Sequence, residues 1–273
     1  MMQATLRESL HFEGIGLHTG EYAAVDVRPA PTDSGLAFIV REKRFGAIVD
    51  CVVDTSRATV VGSDGARVST TEHLLSALFA LGVSNAEIHV EGPEIPACDG
   101  SAASFTAAID SAGIEAQPRA RPLLALERPV FLRDGERMIA AFPAPEFAVR
   151  FVADFPPPVG TQYFRTTVAP ESYRQDIAGA RTFGYLHEIE ALRARGLALG
   201  GSLENALVFG PDGPLQPLRW PDEAVRHKVL DLIGDLALLG AWPQCEIVAI
   251  KSGHELHAAL ARELRAQLPV ASA

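Results

Sequence analysis

The feature that most limits what this chain can fold into is its likeness to itself. Glu72-His73 opens an apolar stretch that ends ALFALG at Gly82, followed by AEIHV, a glycine-containing loop and SAASFTAAIDSAG. Arg226-His227 opens another that ends LALLG at Gly240, followed by CEIVAI, a glycine-containing loop and SGHELHAALARELRA. The two histidine-to-glycine distances differ by four residues, about one helical turn. A repeated helix, strand, loop and helix reads as an internal duplication. It predicts an α+β fold of two related domains, each a sheet layered on helices, with a site at their interface.

Periodicity fills in the rest. In EYAAVDVRPAP, Ala23, Val25 and Val27 alternate with other residues as in a strand, and Pro29 ends it. LAFIV and AIVDCVV are shorter strand-like runs. STTEHLLSALFALG reads as a helix with Ser69 and Glu72 spaced as a capping box and Gly82 as its stop. Residues 116–122, AQPRARP, read as a linker, because two prolines and two arginines interrupt the pattern. The expected domains are therefore 1–119 and 120–273. In the second, LLALERPVFLR, MIAAF, FAVRFVADF, ALVFG and CEIVAI are strand-like, and RQDIAGARTFGYLHEIEALRARG holds one or two helical stretches. A long helix is expected from Pro221 to Leu239, with Asp222 and Glu223 at its positive end and Gly240 after it.

Composition narrows the function. A net charge of −10 argues against general polyanion binding, so no nucleic-acid partner is expected. No apolar run is long enough to cross a bilayer as a helix. The first residues, MMQATLRESLHFEG, carry charges where a secretory signal needs an apolar region, so a cytoplasmic protein is expected. Cys51, Cys98 and Cys245 lie far apart with no CxxC spacing, and a metal would have to be held by histidines and carboxylates.

In VRHKVLDLIGDLALLG, His227 and Asp231 are four residues apart, so they project from one helix face, and Asp235 continues the stripe. Apolar residues surround them. One reading is a metal site; the other is a solvated polar stripe on an amphipathic helix. Glu72-His73 offers a second candidate, although Glu72 also suits a helix cap. Taken together, His73, His227 and Asp231 make a set of two histidines and one aspartate, which leaves one position of a tetrahedral zinc open. Such a zinc lowers the pKa of a water and polarises a carbonyl, and Glu72 could take the water's proton. His254 in KSGHELH is the candidate to protonate a leaving amine, with Asp235 favouring its charged form. The competing reading makes His254 incidental, beside a cap formed by Ser252 and Glu255. GIGLHTG imitates a dinucleotide fingerprint, but its last glycine comes one residue late and a strand follows, so a tight loop presenting His18 fits better.

GIGLHTG, TTEHLLSAL, EGPEIPACDGSAASF, ARTFGYL, RGLALGGSLENALV, VRHKVLDLIGDL and KSGHEL occur in this order over nearly the whole chain. In these motifs the sequence resembles the UDP-3-O-acyl-N-acetylglucosamine deacetylases, zinc enzymes of early lipid A synthesis. The resemblance implies hydrolysis of the N-acetyl group to UDP-3-O-acyl-glucosamine and acetate, the committed step of that pathway. It makes His73, His227 and Asp231 the zinc ligands, Glu72 the general base and His254 the general acid or oxyanion stabiliser, oriented by Asp235. Thr182 would donate to the oxyanion, Phe183 would contact the sugar nucleotide and Lys228 a phosphate. It also implies a passage for the acyl chain, matched by IEALRARGLALGGSLENALV, with Ile189, Leu197, Ala198, Ala206 and Val208 as its small or apolar residues. His18 and Gly253 complete the expected substrate contacts. The chain departs from the family's pattern at Ala224, where a bulky aromatic is usual, and in the proline-rich GPDGPLQPLRWP; neither touches an expected ligand.

Rivals remain at the sequence level. One is a zinc amidohydrolase with another acylated substrate, and another a non-catalytic sugar-nucleotide binder. A site of two histidines and one aspartate with open positions also suits Fe²⁺. No obligate protein partner is indicated, and the substrate's acyl chain is compatible with transient contact at a membrane surface.

Overall fold

In the strand Tyr22–Pro29, Ala23, Val25 and Val27 are buried and the residues between them are more exposed, as a two-residue side-chain period requires of a sheet with one covered face. The computed structural model describes residues 1–268, so the end of the expected second domain lies outside the described residues.

Two sheets frame the molecule. The first runs Leu10–Ile15, Tyr22–Pro29, Ala86–Glu91, Leu36–Val40 and Lys43–Gly46 in spatial order. The second runs Val130–Asp134, Arg137–Pro143, Trp242–Ile250, Ala148–Asp154 and Thr161–Thr167. Strand by strand the two orders are the same. In each, the central strand pairs antiparallel on one side and parallel on the other, while both outer pairs are antiparallel. Leu123–Ala125 adds a short parallel strand to the second sheet.

Among the described residues the helices are α1 (Glu72–Ala80), α2 (Ala103–Ala112), α3 (Pro170–Asp176), α4 (Ile189–Ala194), α5 (Glu223–Ala237) and α6 (His254–Arg265). α1 and α5 each precede the central strand of their sheet, and α2 and α6 each follow it. Gly82 and Gly240, at φ +93° and +75°, follow α1 and α5, a conformation that glycine adopts without a Cβ penalty. Each half also carries an insert between the edge strand Lys43–Gly46 or Thr161–Thr167 and the helix α1 or α5. One insert pairs Val52–Asp54, Val60–Ser63 and Ala66–Val68; the other pairs Phe183–Tyr185, Leu207–Gly210 and Gly213–Pro214.

One hydrophobic core spans both halves, joining Phe38, Leu75 and Ile88 to Phe151, Leu232 and Ile247. The second insert has a small core of its own in Tyr185, Leu207 and Phe209. α1 and α5 approach closely at Gly234, where a Cβ would lie 2.0 Å from the carbonyl oxygen of Glu72. No larger residue fits there without moving one helix.

Several sequence expectations are corrected. Residues expected as a linker form the strand Ile114–Ala120, antiparallel to Met2–Leu6. The ribbon tolerates Pro118 because its register shifts there. Arg121 is buried, its guanidinium 4.8 Å and 4.6 Å from the rings of Phe79 and Trp242, so this stretch ties the halves together. AIVDCVV is a 3₁₀ turn, Val49–Cys51, before a strand begins at Val52. Thr161–Thr167, unremarked in the sequence, is an edge strand.

Candidate active site

α5 is not an amphipathic surface helix. His227, Asp231 and Asp235 are all buried, wedged between α1, α6 and the second sheet, which excludes the solvated-stripe reading. Glu72 and His73 come from the first turn of α1, which packs across α5. His73 Nε2 lies 3.7 Å and His227 Nε2 3.3 Å from the same atom, Asp231 Oδ1. The Nδ1–H of His227 donates to the carbonyl of Ala180 at 3.0 Å, which leaves its Nε2 lone pair free to bind. Burial pushes the His73 imidazole down to about 3 and also lowers that of His227, so both are neutral, the form that ligates metal. Burial works to raise the Asp231 carboxyl, but His227 and Lys228 hold it below its ordinary range as an anion.

Asp231 Oδ1 is fully buried and has no hydrogen-bond partner among the described residues. An acceptor stranded in this way costs about 1–3 kcal/mol. Two neutral imidazole nitrogens around one unsatisfied carboxylate oxygen, all within 4.8 Å of one another, form a donor set that suits a divalent cation.

Glu72 does not cap its helix. One oxygen accepts the backbone N–H of Thr59 at 3.1 Å, and the other lies 3.8 Å from His254 Nε2. Ser69 bonds instead to the carbonyl of Pro93. Burial, reinforced by Asp231 and Asp235 and opposed by His254, pushes the Glu72 carboxyl up to about 8. Burial opposes charge on His254, yet Asp235 and Glu72 outweigh it and raise the imidazole to about 9. His254 Nδ1 donates to Asp235 Oδ2 at 2.8 Å. The expected cap of α6 is absent too. Ser252 Oγ lies 2.9 Å from His257 Nε2, and Glu255 pairs with Arg137.

These groups open onto a cavity of about 930 Å³ lined by both halves and both inserts. Glu72, His73, His227, Asp231 and His254 reach it, as do His18, Thr182, Phe183, Lys228, Gly253, Ile189, Ala198, Ala206 and Val208. Leu197 does not. Its N–H closes the turn after α4 by donating to Leu192, and it is the next residue, Ala198, at φ +53°, that lines the cavity. Asp235 stands behind His254 rather than on the wall. Thr182 is fixed by its own backbone, which donates to Gly100 and accepts from Leu207. Phe183 stands edge-on to His227 at 6.2 Å, and Lys228 Nζ lies 2.5 Å from Asp231 Oδ2.

Sequence reasoning missed three residues. Thr59 donates its hydroxyl to Asp235 Oδ1 from 176 positions away, a link without local signal. His257 donates to Asp235 Oδ2; its spacing of three from His254 on one helix was the available clue. Glu94 is fully buried and accepts from the backbone N–H groups of His18 and Thr19 and the hydroxyls of Thr19 and Thr70. It thereby holds the GIGLHTG loop at the cavity. That loop also accepts from the second insert: the N–H groups of Leu199 and Gly200 donate to the carbonyls of His18 and Leu17. A Cβ on Gly200 would lie 2.2 Å from the Gly16 oxygen.

A doubled α+β frame with two histidines and one aspartate that could hold a metal, a raised carboxyl and a carboxylate-backed imidazole points to the metal-dependent hydrolases as a class. Comparison with known proteins narrows this. Residues 3–266 match the family model of the UDP-3-O-acyl N-acetylglycosamine deacetylases, LpxC. A UDP-3-O-acyl-N-acetylglucosamine deacetylase of Syntrophotalea carbinolica is 45% identical over 262 residues, covering 93% of this chain and 85% of its own. Enzymes of the same name from Anaeromyxobacter sp. and Phenylobacterium zucineum are 45% and 44% identical, covering 97% and 98% of this chain and 88% and 94% of theirs. The chain belongs to the UDP-3-O-acyl N-acetylglycosamine deacetylase family and is an enzyme. Among the described residues no helix is long and apolar enough to cross a membrane.

Proposed function

We propose that this site hydrolyses the N-acetyl group of UDP-3-O-acyl-N-acetylglucosamine, giving acetate and UDP-3-O-acyl-glucosamine in lipid A biosynthesis. The observation that carries the reading is the stranded Asp231 oxygen between two imidazole nitrogens, with Glu72 and His254 facing each other beside it at 3.8 Å. We assign His73, His227 and Asp231 as ligands of one Zn²⁺. When bound, zinc supplies a water of lowered pKa and polarises the amide carbonyl.

The protein's own residues do the rest. Glu72 takes a proton from the attacking water, for which its raised basicity suits it. The Thr182 hydroxyl donates to the oxygen that becomes negative as the carbonyl carbon turns tetrahedral. His254, positively charged and backed by Asp235, stabilises that charge and then protonates the departing amine. Phe183 packs on the sugar nucleotide, Lys228 faces a phosphate, and Ile189, Ala198, Ala206 and Val208 line the acyl chain's path. In this reading residues 1–119 and 120–273 are the two domains, with the site at their interface. Three unpaired cysteines suit a reducing compartment, and we place the enzyme in the cytoplasm.

The test is acetate release from UDP-3-O-acyl-N-acetylglucosamine by protein as isolated, after a chelator, and after one equivalent of Zn²⁺. Loss with the metal and recovery on adding zinc are expected. A folded, zinc-loaded protein with no turnover on any acyl length would overturn the proposal. Recovery with Fe²⁺ alone would correct the metal and leave the ligands in place.

A further inference from the structure

Asp235 lies behind the proposed proton donor, where a single partner would be enough to hold that imidazole. It has three. Thr59 donates its hydroxyl to Oδ1, and both His254 and His257 place Nδ1 at 2.8 Å from Oδ2. His257 is fully buried, does not reach the cavity and has no part in the proposed chemistry. Both nitrogens of this buried imidazole are hydrogen-bonded, and one of the partners is the carboxylate that holds His254.

The protons can be placed by chemistry. A carboxylate only accepts, so Nδ1 of both histidines must carry hydrogen. Burial keeps His257 neutral, so its Nε2 is an acceptor, and the Ser252 hydroxyl at 2.9 Å donates to it. Ser252, His257 and Asp235 thus form a directed chain of hydrogen bonds. It starts one residue before Gly253 and ends on the oxygen that His254 uses. His254 and His257 sit one turn apart on α6, and Asp235 comes from the last turn of α5. With His254 alone on Oδ2, the carboxylate could still turn about the Thr59 contact at Oδ1 and take the imidazole with it. With His257 bound as well, it is fixed by two donors from a rigid helix.

We propose that His257 is a positioning residue: through Asp235 Oδ2 it fixes the ring of His254 so that Nε2 faces Glu72 and the cavity. The inference rests on the reading of His254 as the proton donor. It does not require His257 to titrate or to meet substrate. Its effect belongs on kcat, since misplacing a catalytic group by a fraction of an ångström slows the chemical step while leaving substrate contacts alone.

The experiment compares full-length, zinc-loaded wild type with His257→Leu, His257→Asn and Ser252→Ala, together with His254→Ala. His257→Leu keeps the volume but removes the donor; kcat should fall about tenfold, as for other orienting partners, with KM within about twofold. Bound zinc should stay at one equivalent. Asparagine can set its amide N–H where Nδ1–H lies, so His257→Asn should recover most of kcat. Ser252→Ala should fall between them. If His257→Leu does not fold, the other two variants decide: wild-type kcat in Ser252→Ala, or a tenfold loss in a folded His257→Asn, overturns the inference. A His257→Leu enzyme at wild-type kcat beside an inactive His254→Ala overturns this inference alone. A fully active His254→Ala removes the reading on which it rests.

Discussion

The two halves share a strand order but not a workload. The helix before each central strand brings one histidine to the cavity, His73 from α1 and His227 from α5, with rings 5.0 Å apart. There the likeness ends. α1 contributes only its first turn, Glu72 and His73. α5 continues with Asp231 and Asp235, and the helix that follows the strand adds His254 and His257. The corresponding α2 brings no group to the cavity. A repeated frame can thus place two similar nitrogens symmetrically, while one copy supplies the charge that makes the pair useful. The proposed ligand set of His73, His227 and Asp231 draws on both halves, so it comes together only where α1 crosses α5.

The sharpest way to break the comparison is to remove each histidine in turn. His73→Ala and His227→Ala should both lose bound zinc and turnover, by metal analysis and acetate release, despite coming from different halves. Retained zinc in either variant would mean that one half binds metal unaided. Next in size is Glu72→Gln, which should keep zinc and lose kcat by about 10²–10⁴. Its pH profile sharpens the test. Glu72 must lose a proton to work, so activity rises with pH through its pKa, up at about 8; His254 must keep one, so activity falls through its pKa, up at about 9. A dication beside both lowers both, so the bell of the zinc-loaded enzyme should lie on the acid side of these values. Glu72→Gln should abolish the rising limb and keep the falling one. The smallest effect tests the crossing itself. Alanine for glycine inside a helix ordinarily stabilises by about 1 kcal/mol. Gly234→Ala should instead destabilise by about 1–3 kcal/mol in denaturant unfolding, because its Cβ meets the Glu72 carbonyl.

The frame was legible because the repeated order of histidine, helix, glycine, strand and helix is local and periodic. His227, Asp231 and Asp235 were legible for the same reason, since helical spacing fixes a common face. Local rules failed where a polar side chain had a distant partner to choose. Ser69 with Glu72, and Ser252 with Glu255, have the spacing of capping boxes. In the fold Glu72 turns to Thr59, and Ser252 to His257. The prolines and arginines of residues 116–122 look like a linker, yet Arg121 finds two aromatic rings, one from each half. Thr59 and Glu94 had no signature at all, because their roles depend on loops that only tertiary packing brings together.

The contact between the GIGLHTG loop and the second insert bears on how such enzymes diverge. Gly16 and Gly200 meet backbone to backbone, and the chains are bonded beside the contact, from Gly200 to Leu17 and from Leu199 to His18. An insertion or deletion in either segment would have to be matched by a compensating change in the other, more than a hundred residues away. On the proposed reading, a change in acyl-chain preference is reached more simply by exchanging side chains along the cavity wall, at positions such as Ala198 and Ala206, than by changing the length of either loop.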